Sequence, residues 1–287
     1  MSDWHKAGEI TSKAREYGRQ LVKEGAKTLD IAEAIEAKVV ELGGKPAFPC
    51  GVSINHIAAH ASPMPGETTT LKRGDLVKLD LGCHINGCVA DTACTIEVGS
   101  NENKDLILAS KEALEEAIKH VKTGVKVSEI GRVIHQVINS YGFSPIKNLS
   151  GHGIKEWVVH HEITIPNFDN GDSRQLKEGM HIAIEPFATT GKGLVTEGKA
   201  SGIYAVNNLR NVRSFEARKL LKYIEEEYQT LPFHIRWLKV PNVNFLVRIL
   251  EREGVLRSYP QLIEESKGLV SQHEHSIEVG NELPYTI

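Results

Sequence analysis

No stretch of the 287-residue chain stays apolar for the roughly 18 residues that a membrane-spanning helix needs. Cysteine is scarce. The four thiols, Cys50, Cys83, Cys88 and Cys94, form no CxxC pair, which argues against a structural zinc site or a disulfide framework. Neither sign of charge dominates: a formal net charge of -3 gives no global reason to attract nucleic acid or an anionic membrane. The opening "MSDWHKAGEITSKAREYGRQL" is polar and amphipathic and lacks the apolar centre of a secretory signal, so a cytoplasmic location is expected. Two motifs are absent on inspection. "HHEIT" from His160 is not HExxH, because position 165 is isoleucine. "TTGKG" from Thr189 lacks the first glycine of a P-loop. What remains is an ordinary globular composition, 40% hydrophobic and 25% charged, long enough for one large domain or two moderate ones.

Against that background, the stretch "VKLDLGCHINGCVADTACTIEVG" from Val77 is unusual. Its β-branched and aliphatic runs flank Asn86-Gly87, a strong signal for a two-residue hairpin turn. With that turn, Ile85 faces Cys88, Gly82 faces Asp91 and Asp80 faces Ala93. Side chains alternate faces, so Asp80 and Asp91 become diagonal neighbours on one face, roughly 7 Å apart. Two half-buried carboxylates that close repel, and either one takes a proton or a cation sits between them. A solvated strand face with acids at the strand ends reads the same way from the hairpin alone.

An internal repeat adds a third acid. "GAKTLDIAEAIEAKVVELGGKP" from Gly25 matches "GVKVSEIGRVIHQVINSYGFSP" from Gly124, an offset of 99 residues. Ile31, Ile35 and Val39 align with Ile130, Ile134 and Ile138. Both copies therefore read as amphipathic helices closed by a glycine, with Thr28 and Ser128 as candidate N-caps. "LKRGDLVKLD" from Leu71 then matches "LKEGMHIAIE" from Leu176, which places Glu185 at the position equivalent to Asp80. A single self-similarity of about 100 residues points to two like αβ halves sharing a cleft, not to a solenoid.

Three further stretches carry suitable chemistry. "NLSGHGI" sets His152 between glycines, "IAIEPF" ends an apolar strand on Glu185, and "LVSQHEHSIEV" holds Glu274, with His273 and His275 on the opposite face by alternation. In this order and spacing, the hairpin with "SGHG", "AIEPFAT" and "QHEHSI" resembles the methionine aminopeptidases of the pita-bread fold, over nearly the whole chain. The long gap between Glu185 and Glu274 holds helix-like segments, "SFEARKLLKYIEEEYQ" and "NVNFLVRILEREG". It is similar to the helical insertion of type II members, and without a long charged N-terminal extension the chain resembles their short archaeal form.

The resemblance implies an α+β pita-bread fold of two pseudo-symmetric halves, a single catalytic domain over residues 1–287 with a helical insertion at about 190–258. It implies two divalent ions (cobalt, manganese, iron or zinc). Asp91 and Glu274 would bridge both, Asp80 would complete one, and His152 and Glu185 the other. Glu185 would also shuttle a proton. His60 and His160 would contact the substrate, with adjacent His161 as a competitor for the second place. Phe48, Val159 and Tyr259 would form the methionine pocket. The substrate would be the N-terminal methionine of nascent polypeptides ahead of a small second residue, cleaved by a monomer in transient proximity to ribosomes, with neither membrane nor nucleic acid as partner. A proline-directed aminopeptidase and a non-catalytic binding protein on the same fold are the alternatives.

Overall fold

The computed structural model describes residues 2–280 and the backbone of residues 285 and 286. Helix α1 (Asp3–Leu21) begins at Ser2, whose hydroxyl accepts from the His5 amide. It is followed by α2 (Thr28–Glu41), β1 (Lys45–Ile54), a short β2 (Ile57–Ala59), and the hairpin of β3 (Leu76–Ile85) and β4 (Cys88–Glu97). The second half repeats the pattern with α3 (Lys104–His120), α4 (Val127–Ser140), β5 (Ser144–Pro145), β6 (Ser150–Lys155), β7 (Val158–Pro166), β8 (His181–Ile184) and β9 (Phe187–Thr189). A third segment carries β10 (Val195–Val206), α5 (Phe215–Tyr228), β11 (Phe233–His234), α6 (Val243–Arg252) and β12 (Leu256–Glu264). Strands β13 (Val270–Gln272) and β14 (Glu274–Glu278) return to the site.

The hairpin register is the expected one. Ile85 pairs with Cys88, Gly82 with Asp91 and Asp80 with Ala93, around a turn in which Asn86 and Gly87 both have positive φ. The repeat is visible in the hydrogen bonds. The Gly25 amide donates to the Leu71 carbonyl and the Gly124 amide to the Leu176 carbonyl, both at 2.8 Å. The isolated bridges Lys27–Thr70 and Lys126–Gln175 are equivalent in the same way. These bridges also correct the capping assignment. Thr28 and Ser128 lie inside their helices, and the flanking Lys27 and Lys126 make no side-chain cap bond. The Thr28 amide donates to the Thr69 carbonyl and the Val127 amide to the Arg174 carbonyl. The crossing chain thus satisfies the first helical donors, and no side-chain cap is required.

The main sheet runs in the order β1-β3-β4-β14-β8-β6-β7. Helices α1 and α2 pack on its first half through Ala7, Ile31, Ile35, Leu79 and Leu81, and α3 and α4 on its second half through Ala113, Ile130, Ile134, Ile182 and Ile277. Because Val77 and Leu79 face the helices, alternation turns Lys78 and Asp80 to the other face, where the cleft lies. A second sheet, ordered β11-β10-β12-β2, stands over that cleft. The span 190–258 is therefore only partly helical. Its helices α5 and α6 close a small core of their own around Leu220, Ile224, Phe233 and Leu250, and the long strand β10 opens it.

Candidate metal centre

Neighbouring strands of the main sheet deliver the acids side by side. Asp80 on β3 pairs with Ala93 on β4, and Ala93 pairs in turn with Glu274 on β14. Asp91 lies two residues earlier on β4. Its amide donates to the Ser276 hydroxyl at 2.7 Å, and the Ser276 hydroxyl donates back to the Asp91 carbonyl at 3.0 Å. Glu185 follows the last residue of β8, and His152 on β6 pairs with Ala183 of β8. The imidazole Nε2 of His152 stands 3.6 Å from Asp91 Oδ2, 3.8 Å from Glu185 Oε1 and 4.0 Å from Glu274 Oε1.

Four carboxylates so placed strain one another electrostatically. Burial lifts Asp80 to about 6. Burial, then the charge of Asp80, pushes Asp91 well above the ordinary carboxylate value. Glu185 and Glu274 are raised for the same two reasons, desolvation first and neighbouring acids second. Burial pulls His152 down to about 4, which keeps its ring neutral and its lone pair free.

The donor set fits divalent metal. Asp91 Oδ1 and Glu274 Oε1 are buried and have no hydrogen-bond partner among the described residues. One ligand atom from each of Asp91, His152 and Glu274 lies within 4.8 Å of the others. Orphaned buried carboxylate oxygens are costly, and cations placed among them would remove both the orphaning and the mutual repulsion. Oxygen-rich ligands with one imidazole suit manganese, iron, cobalt or zinc.

These residues line a cavity of about 220 Å³, and Phe48, His60, Val159, His160 and Tyr259 are among the others that line it. His60 sits at the end of β2 with φ 60, a conformation unusual for a residue with a side chain, and its Nδ1 faces the Pro260 carbonyl at 3.3 Å. Tyr259 meets the His60 ring edge-on, 5.7 Å between centroids. His160 packs against His152 at 4.4 Å. His160, and not the adjacent His161, lines the cavity. The Phe48 ring needs glycine opposite it, since a Cβ on Gly82 would lie 2.3 Å from Phe48 Cε1.

Sequence reasoning missed Gln272. Its Nε2 lies 3.4 Å from Asp80 Oδ2 and 3.3 Å from carboxylate oxygens of both Glu185 and Glu274, so one amide faces three of the four acids. Strand alternation carried the signal, because Gln272, Glu274 and Ser276 are two apart and share the cleft face. Ile203, Phe187 and Pro232 also line the cavity and had no motif to mark them.

A two-half α+β fold with a buried carboxylate–imidazole cluster at the join defines a metal-dependent hydrolase. The chain belongs to metallopeptidase family M24, which matches residues 3–218. It is 48% identical over 285 residues to a methionine aminopeptidase of Thermococcus onnurineus, which covers 98% of this chain and 96% of that protein. The methionine aminopeptidase of Thermotoga maritima has the same fold, with a TM-score of 0.72 at 22% identity over 98% of this chain and 93% of that one. So does a prolidase of Pyrococcus furiosus, with a TM-score of 0.64 at 22% identity over 99% of this chain and 62% of that one. The fold is thus common to methionine- and proline-directed enzymes. The sequence relatives are what separate them, and they stand with the methionine aminopeptidases. Among the described residues no helix is long and apolar enough to cross a membrane.

Proposed function

We propose that the chain hydrolyses the first peptide bond of nascent proteins and peptides that begin with methionine and continue with a small residue. The observation that carries this reading is the five-residue donor set in the wall of a cavity whose remaining wall is mostly apolar, with His60, His160, Asn148 and Ser150 as its polar members. Asp80, Asp91, His152, Glu185 and Glu274 would hold two divalent ions, with Asp91 and Glu274 shared between them. The ions supply a Lewis acid for the scissile carbonyl and a water acidic enough to deprotonate near neutral pH. Glu185 accepts a proton at its carboxylate and passes it to the leaving amine nitrogen. His60 and His160 hydrogen-bond the substrate. His160 donates an N–H to the oxygen on which charge develops, and His60, whose Nδ1–H is directed at the Pro260 carbonyl, offers Nε2 as acceptor to a donor of the substrate backbone. Phe48, Val159 and Tyr259 take the unbranched thioether, which fills an irregular apolar slot well. The carboxylate cluster favours a free α-amine, and an acetylated amine has no comparable attraction to it.

In this reading residues 1–287 act as one catalytic unit, monomeric and cytoplasmic, in transient proximity to ribosomes. The 190–258 segment walls the cavity, with Ile203 and Pro232 as its contribution. The test is a peptide panel with metal-loaded protein: Met-Ala-Ser, acetyl-Met-Ala-Ser, Met-Arg-Ser, Leu-Ala-Ser and Ala-Pro-Ser. Efficient cleavage of the first alone is expected. Weak turnover of Leu-Ala-Ser is compatible with it, because a branch in an apolar pocket discriminates by only about 1–3 kcal/mol. Preferential cleavage of Ala-Pro-Ser would make the enzyme proline-directed. No cleavage by protein carrying two ions per chain would make it a binding protein.

A further inference from the structure

Lys78 is fully buried, although lysine is among the residues least often found inside a protein. It lies on the cleft face of β3, two residues before Asp80 and outside the donor set. Its Nζ donates to the Asn55 carbonyl at 2.7 Å. That carbonyl also accepts from the Val270 amide at 3.1 Å. Asn55 is the pivot of the connection between β1 and β2, and it is bound on every side. Its amide donates to the Leu76 carbonyl, its Oδ1 accepts from the Leu76 amide and its Nδ2 donates to Asp75.

The segment that starts at Asn55 ends at His60. Both ends have left-handed backbone, φ 55 at Asn55 and φ 60 at His60. The excursion is closed at its base by the Val52 amide on the Ala61 carbonyl at 2.8 Å. Directly after Asn55, the His56 carbonyl accepts from the Glu264 amide at 2.9 Å. Two non-glycine residues in a sparsely populated conformation, five positions apart, persist only where the surroundings over-determine them. Lys78 supplies a side-chain tether from the rigid main sheet to this excursion.

We propose that Lys78 is a positioning residue that fixes the Asn55 turn and, through it, the placement of the His60 imidazole over the substrate. The proposal rests on the reading above in which His60 acts on the substrate. A tether of this kind matters because a displacement of about 1 Å at a catalytic group can cost on the order of 10²-fold in rate. It predicts an effect on turnover with the metal centre intact.

The test is a double-mutant cycle on Met-Ala-Ser. Lys78→Met keeps the length of the side chain and removes its N–H donors. The expected results are a fall in kcat of about tenfold, KM within about twofold and an unchanged metal content per chain. In the His60→Ala background the same substitution should cost less than about twofold more, because the group it positions is gone. If the two losses multiply, or if Lys78→Met sheds metal, Lys78 does not act through His60 and the proposal falls while the peptidase reading stands. If His60→Ala keeps full kcat, the role of His60 falls and takes the proposal with it. Should Lys78→Met fail to fold, Asn55→Gly carries the same test. Glycine accepts φ 55 and loosens the same turn, so it should give the same kcat loss and the same silence beside His60→Ala.

Discussion

Asp91 is buried, donates its amide to Ser276 and keeps an orphaned oxygen, so its carboxylate is held for something other than the protein. Asp91→Asn preserves that backbone bond and the side-chain volume. The expected result is a loss of activity greater than about 10²-fold, with a lower metal stoichiometry by elemental analysis and an unchanged circular dichroism spectrum. Full activity in this variant would falsify the bridging role. At this scale the sequence was readable where an acid sat in an apolar run: Asp80, Asp91 and Glu185 stand out against their neighbours. Gln272 did not stand out, because a neutral amide has no charge to betray it; alternation sets it on the face of Glu274, and its distances to three carboxylates show what it touches. Lys78 was equally silent. A lysine in a strand reads as solvent-facing until its burial is known.

Among the elements, the helices of the two halves are matched closely enough for a paired prediction. Ile35 on α2 and Ile134 on α4 are equivalent in the repeat and both fully buried. Ile35→Ala and Ile134→Ala should each destabilise the fold by about 2–5 kcal/mol, the usual range for a large-to-small change in a packed core. The two values, measured by denaturant unfolding, should agree to within about 1 kcal/mol. A much smaller cost at Ile134 would mean that the second half relaxes around the cavity. The hairpin, the N-terminal helix and the two repeat helices α2 and α4 were legible because period and turn chemistry agree there, whereas α3 was not read from the sequence. Strands β10 and β12 were not. Gly198 and Gly202 interrupt the first and Pro260 the second, and both pair with register shifts. Their place over the cleft depends on contacts far apart in sequence, which no local window contains.

For the whole molecule, metal should act as a folding ligand. In the proposed centre divalent ions would bind the assembled donor set and not the unfolded chain, so adding manganese or cobalt to chelator-treated protein should raise Tm. The gain approaches about 2.7 kcal/mol at a hundredfold excess over Kd, and the Asp91→Asn protein should show a smaller shift. Acid acts through a different group. His234 is fully buried, its Nε2 donating to the Ser201 carbonyl and its Nδ1 accepting from the Arg236 amide, and burial, then Arg236, pulls it down to about 3. The folded value lies below the ordinary histidine value of 6.5. The folded state therefore holds fewer protons, and stability is complete above pH 6.5 and lost as pH falls toward 3. Between pH 7 and pH 5 the loss from this residue is on the order of 1–2 kcal/mol. His234→Gln should flatten that part of the stability profile, and an unchanged slope would assign the acid sensitivity elsewhere.

Strand β14 lies between β4 and β8 and pairs with both, Glu274 with Ala93 on one side and His275 with Ile184 on the other. A chain emerging from synthesis makes β4 about 180 residues before the strand that covers it. Until then the two half-sheets present bare edges toward each other, the kind of edge that invites pairing with foreign chains. The keystone therefore arrives after the arch. Because the same strand brings Glu274, a chain that lacks it has neither a continuous main sheet nor the full donor set proposed above, and on that proposal catalytic competence and closure of the sheet become one event.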